Sequence, residues 1–263
     1  MVGRRDALVN WHGRYMVNIC LWIEQSGRKL RALLYPPECV LCGNPGAADQ
    51  DICSGCLNDL PWNRHACLRC ALPLPPASSA DVRCARCQQH PPPFDRAWSP
   101  LRYTTASRWL HRRLKFGSRL ANGRLLATLL EDALVQALNQ GVVMRPDCIL
   151  VMPLHPRRLM RRGFNQSLEL IRPAARQLDI GLDYLSLRRV KATRPQSELS
   201  ANRRRSNVRG AFVCDRNLAG LRVALFDDVV TTGHTVAEAT RVLRRAGAEE
   251  ISVWSLARTD LSF

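Results

Sequence analysis

Two stretches of this chain carry residue types at spacings that can do chemistry. The first runs from Val223 to Thr235, VALFDDVVTTGHT. Its carboxylates, Asp227 and Asp228, repel phosphate. They suit vicinal hydroxyls, or a divalent cation held through water. Just beyond them, Thr231, Thr232, Gly233, His234 and Thr235 form a small, hydroxyl-bearing loop. Such a loop at a helix start presents backbone N–H groups and hydroxyls to an anion. One stretch that accepts both a diol and a phosphate points to a ribose 5-phosphate. The competing reading is an ordinary strand-to-helix turn, with acids placed to favour the helix start.

The second stretch holds four C-x-x-C pairs: Cys39/Cys42, Cys53/Cys56, Cys67/Cys70 and Cys84/Cys87, separated by ten, ten and thirteen residues. Tetrahedral zinc takes four thiolates at about 2.3 Å, and two such pairs fill one site with no position left for substrate. Eight cysteines therefore make two closed, structural zinc sites. Sequential pairing joins the first two pairs on one metal and the last two on the other; interleaved pairing satisfies the spacing equally. Disulfides are the competing use, but no small-residue cleavage site marks a signal peptide. His65 and His90 lie close enough in sequence to replace a thiolate.

Both sets need elements to hold them. Val223 to Phe226 has the length and composition of a buried strand, with the acids at its exit. After the loop, Val236, Ala239, Val242, Leu243 and Ala246 share one helical face, and Gly247 supplies a stop. In an open α/β sheet this places the loop outside the carboxyl end of a strand, where ligands bind. A second strand, Cys148 to Met152, leads into PLHPRRLMRRGFNQS, a loop carrying Arg157, Arg158, Arg161 and Arg162, and then into an amphipathic helix. Gly163 allows close backbone approach there, and Asn165 and Gln166 offer amide donors. Ala97 to Tyr103, Leu185 to Val190, Ala211 to Val213 and Glu250 to Leu256 read as further strands. Thr104 to Gly117 and Ala121 to Gln140 read as helices. Residues 191–210 are polar, Arg-rich and without periodicity, as expected of a loop closing over a ligand, with Gln196, Arg203 and Arg204 as contacts.

The chain has 263 residues and a net charge of +17, from 39 Lys+Arg against 22 Asp+Glu, with Arg far outnumbering Lys. Arg forks suit phosphate, so nucleic acid or phosphorylated ligands are the expected partners. The cysteine-rich segment is short and Pro-rich, and metal binding must supply its folding energy. Trp62, Arg64, Arg69, Arg83 and Arg86 give it stacking and charge for single-stranded nucleic acid; a metal-stapled lid with no ligand of its own fits the same residues. The N-terminal run Met16 to Ile23 is too short to span a membrane, and residues 1–36 read as a docking helix with a disordered start. The expected division is 1–36, then a zinc-binding module at 37–93, then an α/β domain at 94–263.

The Val223–Thr235 stretch resembles the PRPP motif of type I phosphoribosyltransferases. The resemblance implies that Asp227 and Asp228 meet the ribose hydroxyls as catalytic residues and that Thr231, Thr232, Gly233, His234 and Thr235 wrap the 5′-phosphate. It places Arg161, Arg162, Gly163, Asn165 and Gln166 near the pyrophosphate, whose developing charge cationic donors stabilise. Together with the paired C-x-x-C ribbons, LKFGSR and TRPQSELSANRRRSNVRGAF, the motifs over residues 36–258 resemble the ComF family, with its ComFC- and GntX-type members. That resemblance implies an α/β, type I phosphoribosyltransferase-like domain, Rossmann-like with a mostly parallel sheet flanked by helices, preceded by a double zinc ribbon. It further implies two structural Zn²⁺, Mg²⁺ with PRPP or a related ribose phosphate, and a cytoplasmic role in handling imported DNA for natural transformation or as a nutrient. Single-stranded DNA and competence or helicase proteins are the implied partners, without membrane insertion. Two function classes follow: a phosphoribosyltransferase acting on an unidentified acceptor, or a non-catalytic protein that binds single-stranded DNA on the same scaffold.

Overall fold

A computed structural model describes residues 37–47, 50–76, 82–104, 107–108, 110, 120–192 and 208–260. The expected docking helix at 1–36, most of the helix expected from Thr104 to Gly117, and the loop residues Gln196, Arg203 and Arg204 lie outside the described residues. The chain divides after Asp59 into two compact units, Met1–Asp59 and Leu60–Phe263. The four cysteines Cys67, Cys70, Cys84 and Cys87 therefore belong to the larger unit, with the α/β fold. In the smaller unit Glu38 and Pro45 form an antiparallel bridge, and one short helix, α1 (Ser54–Asn58), is capped at its start by Cys53.

The larger unit is built on one parallel sheet. Its strands are β1 (Arg96–Trp98), β2 (Leu101–Arg102), β3 (Cys148–Val151), β4 (Gly181–Asp183), β7 (Arg222–Val230) and β8 (Glu250–Arg258). They lie in the order β1-β8-β7-β3-β4, with β2 continuing β1 along β8. A separate antiparallel pair is formed by β5 (Leu187–Arg189) and β6 (Phe212–Cys214). The helices are α2 (Ala85–Gln89), α3 (Leu120–Asn139), α4 (Pro156–Arg162), α5 (Gln166–Gln177) and α6 (His234–Arg245). Parallel strands are covered on both faces, so their sequences run apolar rather than alternating. All four residues of β3 are buried, as are Val223, Ala224, Leu225 and Phe226 of β7. Helix α6 buries Val236, Ala239, Val242 and Leu243, the face its spacing predicts, and α5 buries Leu170, Ile171, Ala174 and Ala175.

Three elements differ from the sequence expectation. The strand expected from Ala97 to Tyr103 is broken at Ser99–Pro100, because a proline cannot donate to a ladder. The arginine-rich segment after β3 is not a continuous loop. Residues Pro156–Arg162 form α4, with His155 as N-cap, proline in the first turn and Gly163 left-handed at its end (φ +77°). Strand β7 runs on through both acids to Val230, so the carboxylates sit within a strand rather than beyond it.

Residues Pro61 to Asn63 lie along the outer side of β2. Trp62 and Leu101 form an antiparallel bridge, Arg102 N–H donates to the Pro61 carbonyl at 2.7 Å, and Asn63 N–H donates to that of Pro100 at 2.8 Å. Among the described residues, no helix is long and apolar enough to cross a membrane.

Leu150 is fully buried in the middle of the sheet. Leu150→Ala should cost about 2–5 kcal/mol, read from urea unfolding of the full chain. A loss well below that range would place the core elsewhere.

Candidate ligand site and metal centres

The connections after β3 and β7 leave in opposite directions. From β3 the chain crosses through α5 to β4 on one side, and from β7 it crosses through α6 to β8 on the other. These neighbours therefore form a topological switch point, and a crevice opens beyond their carboxyl ends. Strand β3 stops pairing at Val151 opposite Phe226, and Pro153 follows. Strand β7 continues along β8, with Asp227 opposite Ser255 and Val230 opposite Arg258. The two acids thus lose a neighbour on the β3 side, where the start of α5 takes its place.

That helix start is hydrogen-bonded into the site. Asn165 caps α5: its Oδ1 accepts from Ser167 N–H at 3.1 Å and its Nδ2 donates to the Met152 carbonyl at 3.0 Å. Ser167 Oγ donates to Asp227 Oδ1 at 3.3 Å and accepts from Asp228 N–H at 3.1 Å. Asp227 Oδ1 also accepts from Asp228 N–H at 2.9 Å, and Asp228 Oδ1 accepts from Val229 N–H at 2.8 Å. Burial pushes the Asp227 carboxyl up to about 8; the Asp228 charge adds to the rise, and the hydrogen bonds from Asp228 N–H and Ser167 oppose it. That rise favours the protonated form of Asp227.

Cationic groups face the pair. Burial pulls the Arg162 guanidinium below its ordinary value, with the Arg158 charge adding and the Asp228 charge opposing. Arg162 donates to Gln166 Oε1 at 2.8 Å. Gln166 is 1% exposed, and its Nε2 has no hydrogen-bond partner. Half-buried Arg189 on β5 lies over the Phe212 ring, 5.4 Å from its centroid. Its guanidinium is also lowered by burial and by Arg158, with Asp227 opposing. Arg161 is exposed.

The loop beyond β7 is short. Thr231, Thr232 and Gly233 lead directly into α6, whose N-cap Gly233 is left-handed (φ +80°) and brings no capping side chain. A left-handed position strains any residue with a Cβ. Thr232 Oγ1 is buried without a hydrogen-bond partner.

Of the expected site residues, Asp227, Asp228, Arg162 and Gln166 come together at the end of β3 and β7, and Thr231 to Thr235 follow directly on β7. Asn165 has both ends of its amide engaged in holding the start of α5. Gly163 ends α4. Ser167 and Arg189 went unnoticed in the sequence. A serine two residues after an Asn cap was the one available signal for Ser167; Arg189 has none.

The eight cysteines form two groups, Cys39, Cys42, Cys53 and Cys56, and Cys67, Cys70, Cys84 and Cys87. Sequential pairing is the one realised. In each group the sulfurs lie within 4.8 Å of one another. Cys42 and Cys53 sulfurs are 3.7 Å apart, as are those of Cys70 and Cys84. A tetrahedron with arms of about 2.3 Å has edges of about 3.8 Å, so both groups fit zinc. His65 and His90 are exposed and stand outside both groups. A hydrogen bond from Cys70 lowers the Cys67 thiol to about 4, against burial. Burial pushes Cys87 up to about 12. Four thiols so close share their protons unevenly; zinc replaces those protons.

The double zinc ribbon family profile matches residues 30–88, and the phosphoribosyl transferase domain profile matches residues 165–260. The DNA utilization protein YhgH of Salmonella typhimurium is 40% identical over 228 residues, covering 86% of this chain and 99% of that protein. Competence protein F of Haemophilus influenzae is 36% identical over 228 residues, covering 84% and 96%. Competence protein ComFC of Streptococcus pneumoniae is 28% identical over 156 residues, covering 59% and 65%.

Metal analysis of the purified chain should find about two zinc per polypeptide; a folded protein free of metal would remove both sites. The raised Asp227 carboxyl predicts a pH effect. Between its unfolded value near 3.8 and its folded value of about 8, the folded protein holds a proton that the unfolded chain releases. Stability should therefore fall as pH rises across that window. Asp227→Asn should flatten the decline in urea midpoints, and an unchanged slope would show that Asp227 is ionised in the folded protein.

Proposed function

We propose a function from one premise: the chain belongs to the ComF family, the competence and DNA-utilisation proteins. On that premise it binds PRPP with Mg²⁺ at the ends of β3 and β7, in the service of taking up or using imported DNA in the cytoplasm. The acid pair at the topological switch point is the observation that carries this reading. Its carboxylates accept hydrogen bonds from the two ribose hydroxyls, Asp227 releasing any proton it holds to solvent as they dock. The amides and hydroxyls from Thr231 to Thr235 receive the 5′-phosphate at the open start of α6, where the helix dipole favours an anion. Arg158 and Arg162 of α4, with Arg161 beside them and Arg189 from β5, supply positive charge for the pyrophosphate. Gln166 Nε2 and Thr232 Oγ1, both buried without partners, gain acceptors from the ligand. Asp227 and Asp228 are the residues that would hold Mg²⁺, which would neutralise pyrophosphate charge. If the chain turns over, a nucleophilic atom of the unidentified acceptor would form a bond to the sugar C1 as the bond from C1 to pyrophosphate breaks, and cations fixed where charge develops on the departing pyrophosphate would favour the step.

A second role, binding of single-stranded DNA, is favoured by the charge of +17 and by exposed Arg64, Arg83 and Arg86 on the cysteine-rich segment. Arg69 serves differently: its guanidinium donates to the carbonyls of Asp95 and Pro92 at 2.8 and 3.1 Å and secures the ribbon.

Calorimetric titration of PRPP with Mg²⁺ into the wild type and Asp228→Asn tests the reading. Loss of the carboxylate should weaken binding about tenfold or more, the scale of a charge-assisted hydrogen bond, with circular dichroism unchanged. Equal affinities would remove Asp228 from the site, and a wild type that binds no PRPP would remove the ligand. Turnover would appear as released pyrophosphate.

A further inference from the structure

Arg258 is 3% exposed, at the end of the central strand β8. Its Nε donates to the Cys70 carbonyl at 3.0 Å. One terminal nitrogen donates to the Val230 carbonyl at 3.0 Å, to the Thr259 carbonyl at 3.2 Å, and to the carbonyl of Thr231. One guanidinium therefore joins a cysteine of the second thiol group to the first residue of the phosphate loop. Behind that loop a cleft of about 420 Å³ separates the cysteine ribbon from α6, lined by Cys70, Pro92, Thr232, Gly233, Arg241 and Arg258.

Charge gives this link a direction. Four thiolates around Zn²⁺ carry a net charge of minus two, whereas four protonated thiols carry none. A buried cation needs a counter-charge or a full set of acceptors. With metal in place, the cluster is the counter-charge that keeps Arg258 on its carbonyls. Without metal, thiols of the cluster regain protons and most of that counter-charge is lost.

We propose that Arg258 is a positioning residue through which metal occupancy of the Cys67, Cys70, Cys84 and Cys87 site sets the order of the phosphate loop. The first thiol group, in the other compact unit, has no such part. That this order matters for PRPP rests on the function proposed above; the dependence of the loop on the metal does not. A DNA-handling protein built this way loses its phosphate site when oxidation or chelation strips one particular zinc.

The test uses the full-length, zinc-loaded protein. Hydrogen exchange is followed in peptides covering residues 229–235 and, as reference, 148–151. Arg258→Lys keeps the charge but loses the fork. It should speed exchange at 229–235 by roughly tenfold, the scale of one charge-assisted hydrogen bond, with the reference strand still protected and zinc content still two. Cys84→Ser should do the same with zinc content reduced to one, and Cys42→Ser should lower zinc to one with exchange at 229–235 unchanged. The proposal is overturned if Arg258→Lys leaves the loop protected, or if Cys42→Ser loosens it as much as Cys84→Ser. Arg258→Met serves as a second variant: loss of protection in both peptides marks a folding defect, and Arg258→Lys then decides. PRPP titration is run in parallel. A wild type that ignores PRPP removes the proposed ligand but not the link, and one whose affinity survives Arg258→Lys despite a loosened loop separates loop order from binding.

Discussion

Two adjacent carboxylates at the end of a buried strand repel each other, and much of the larger unit is arranged to hold them there. Strand β3 ends at Val151, which frees one flank of β7. The vacated flank is filled by the start of α5, which brings the Ser167 hydroxyl and a positive helix end rather than another strand. Asn165 fixes that start by tying α5 to the Met152 carbonyl. Burial and the neighbouring charge both push the Asp227 carboxyl up, and its protonation would relieve the remaining repulsion. On the function proposed above, a ligand that offers hydroxyls and brings a cation would take over the role of that proton.

The parts of this arrangement legible in sequence are those with local signals. The apolar run before Asp227, the small loop after it and the periodic face of α6 each follow from a few neighbouring residues. So does the zinc chemistry, because C-x-x-C spacing is a local constraint. Which pairs share a metal is a matter of three-dimensional approach, and spacing left two answers open. Helix α4 was misread because its arginines resemble a solvated loop, although Pro156 and Gly163 bracket it as a helix start and stop. Strand β4 has only Gly181, Leu182 and Asp183 to announce it, and it exists because β3 offers a partner. Ser167 and Arg258 act across 60 and 188 residues of sequence on Asp227 and Cys70, and no window along the chain contains both ends of such a contact.

The zinc-binding segment and the α/β fold are also less separate than their compositions suggest. Arg69 reaches the carbonyls of Asp95 and Pro92, and Asn63 Nδ2 donates to those of Ala71 and Ser99 at 3.0 and 3.2 Å. Arg258 approaches from the far end of the chain. Half of the double ribbon thus folds as part of the larger unit, which is why the compact division falls after Asp59.

The strip from Pro61 to Asn63 along β2 carries a consequence for the behaviour of fragments. An open sheet edge presents unpaired backbone groups to any passing strand. Here the proline at 100 interrupts that edge, and Pro61, Trp62 and Asn63 cover what remains. A chain cut down to the α/β portion alone would bare it, and self-association through that edge would follow. The stretch between the two cysteine groups therefore also shields a sheet edge, whatever ligand the chain binds.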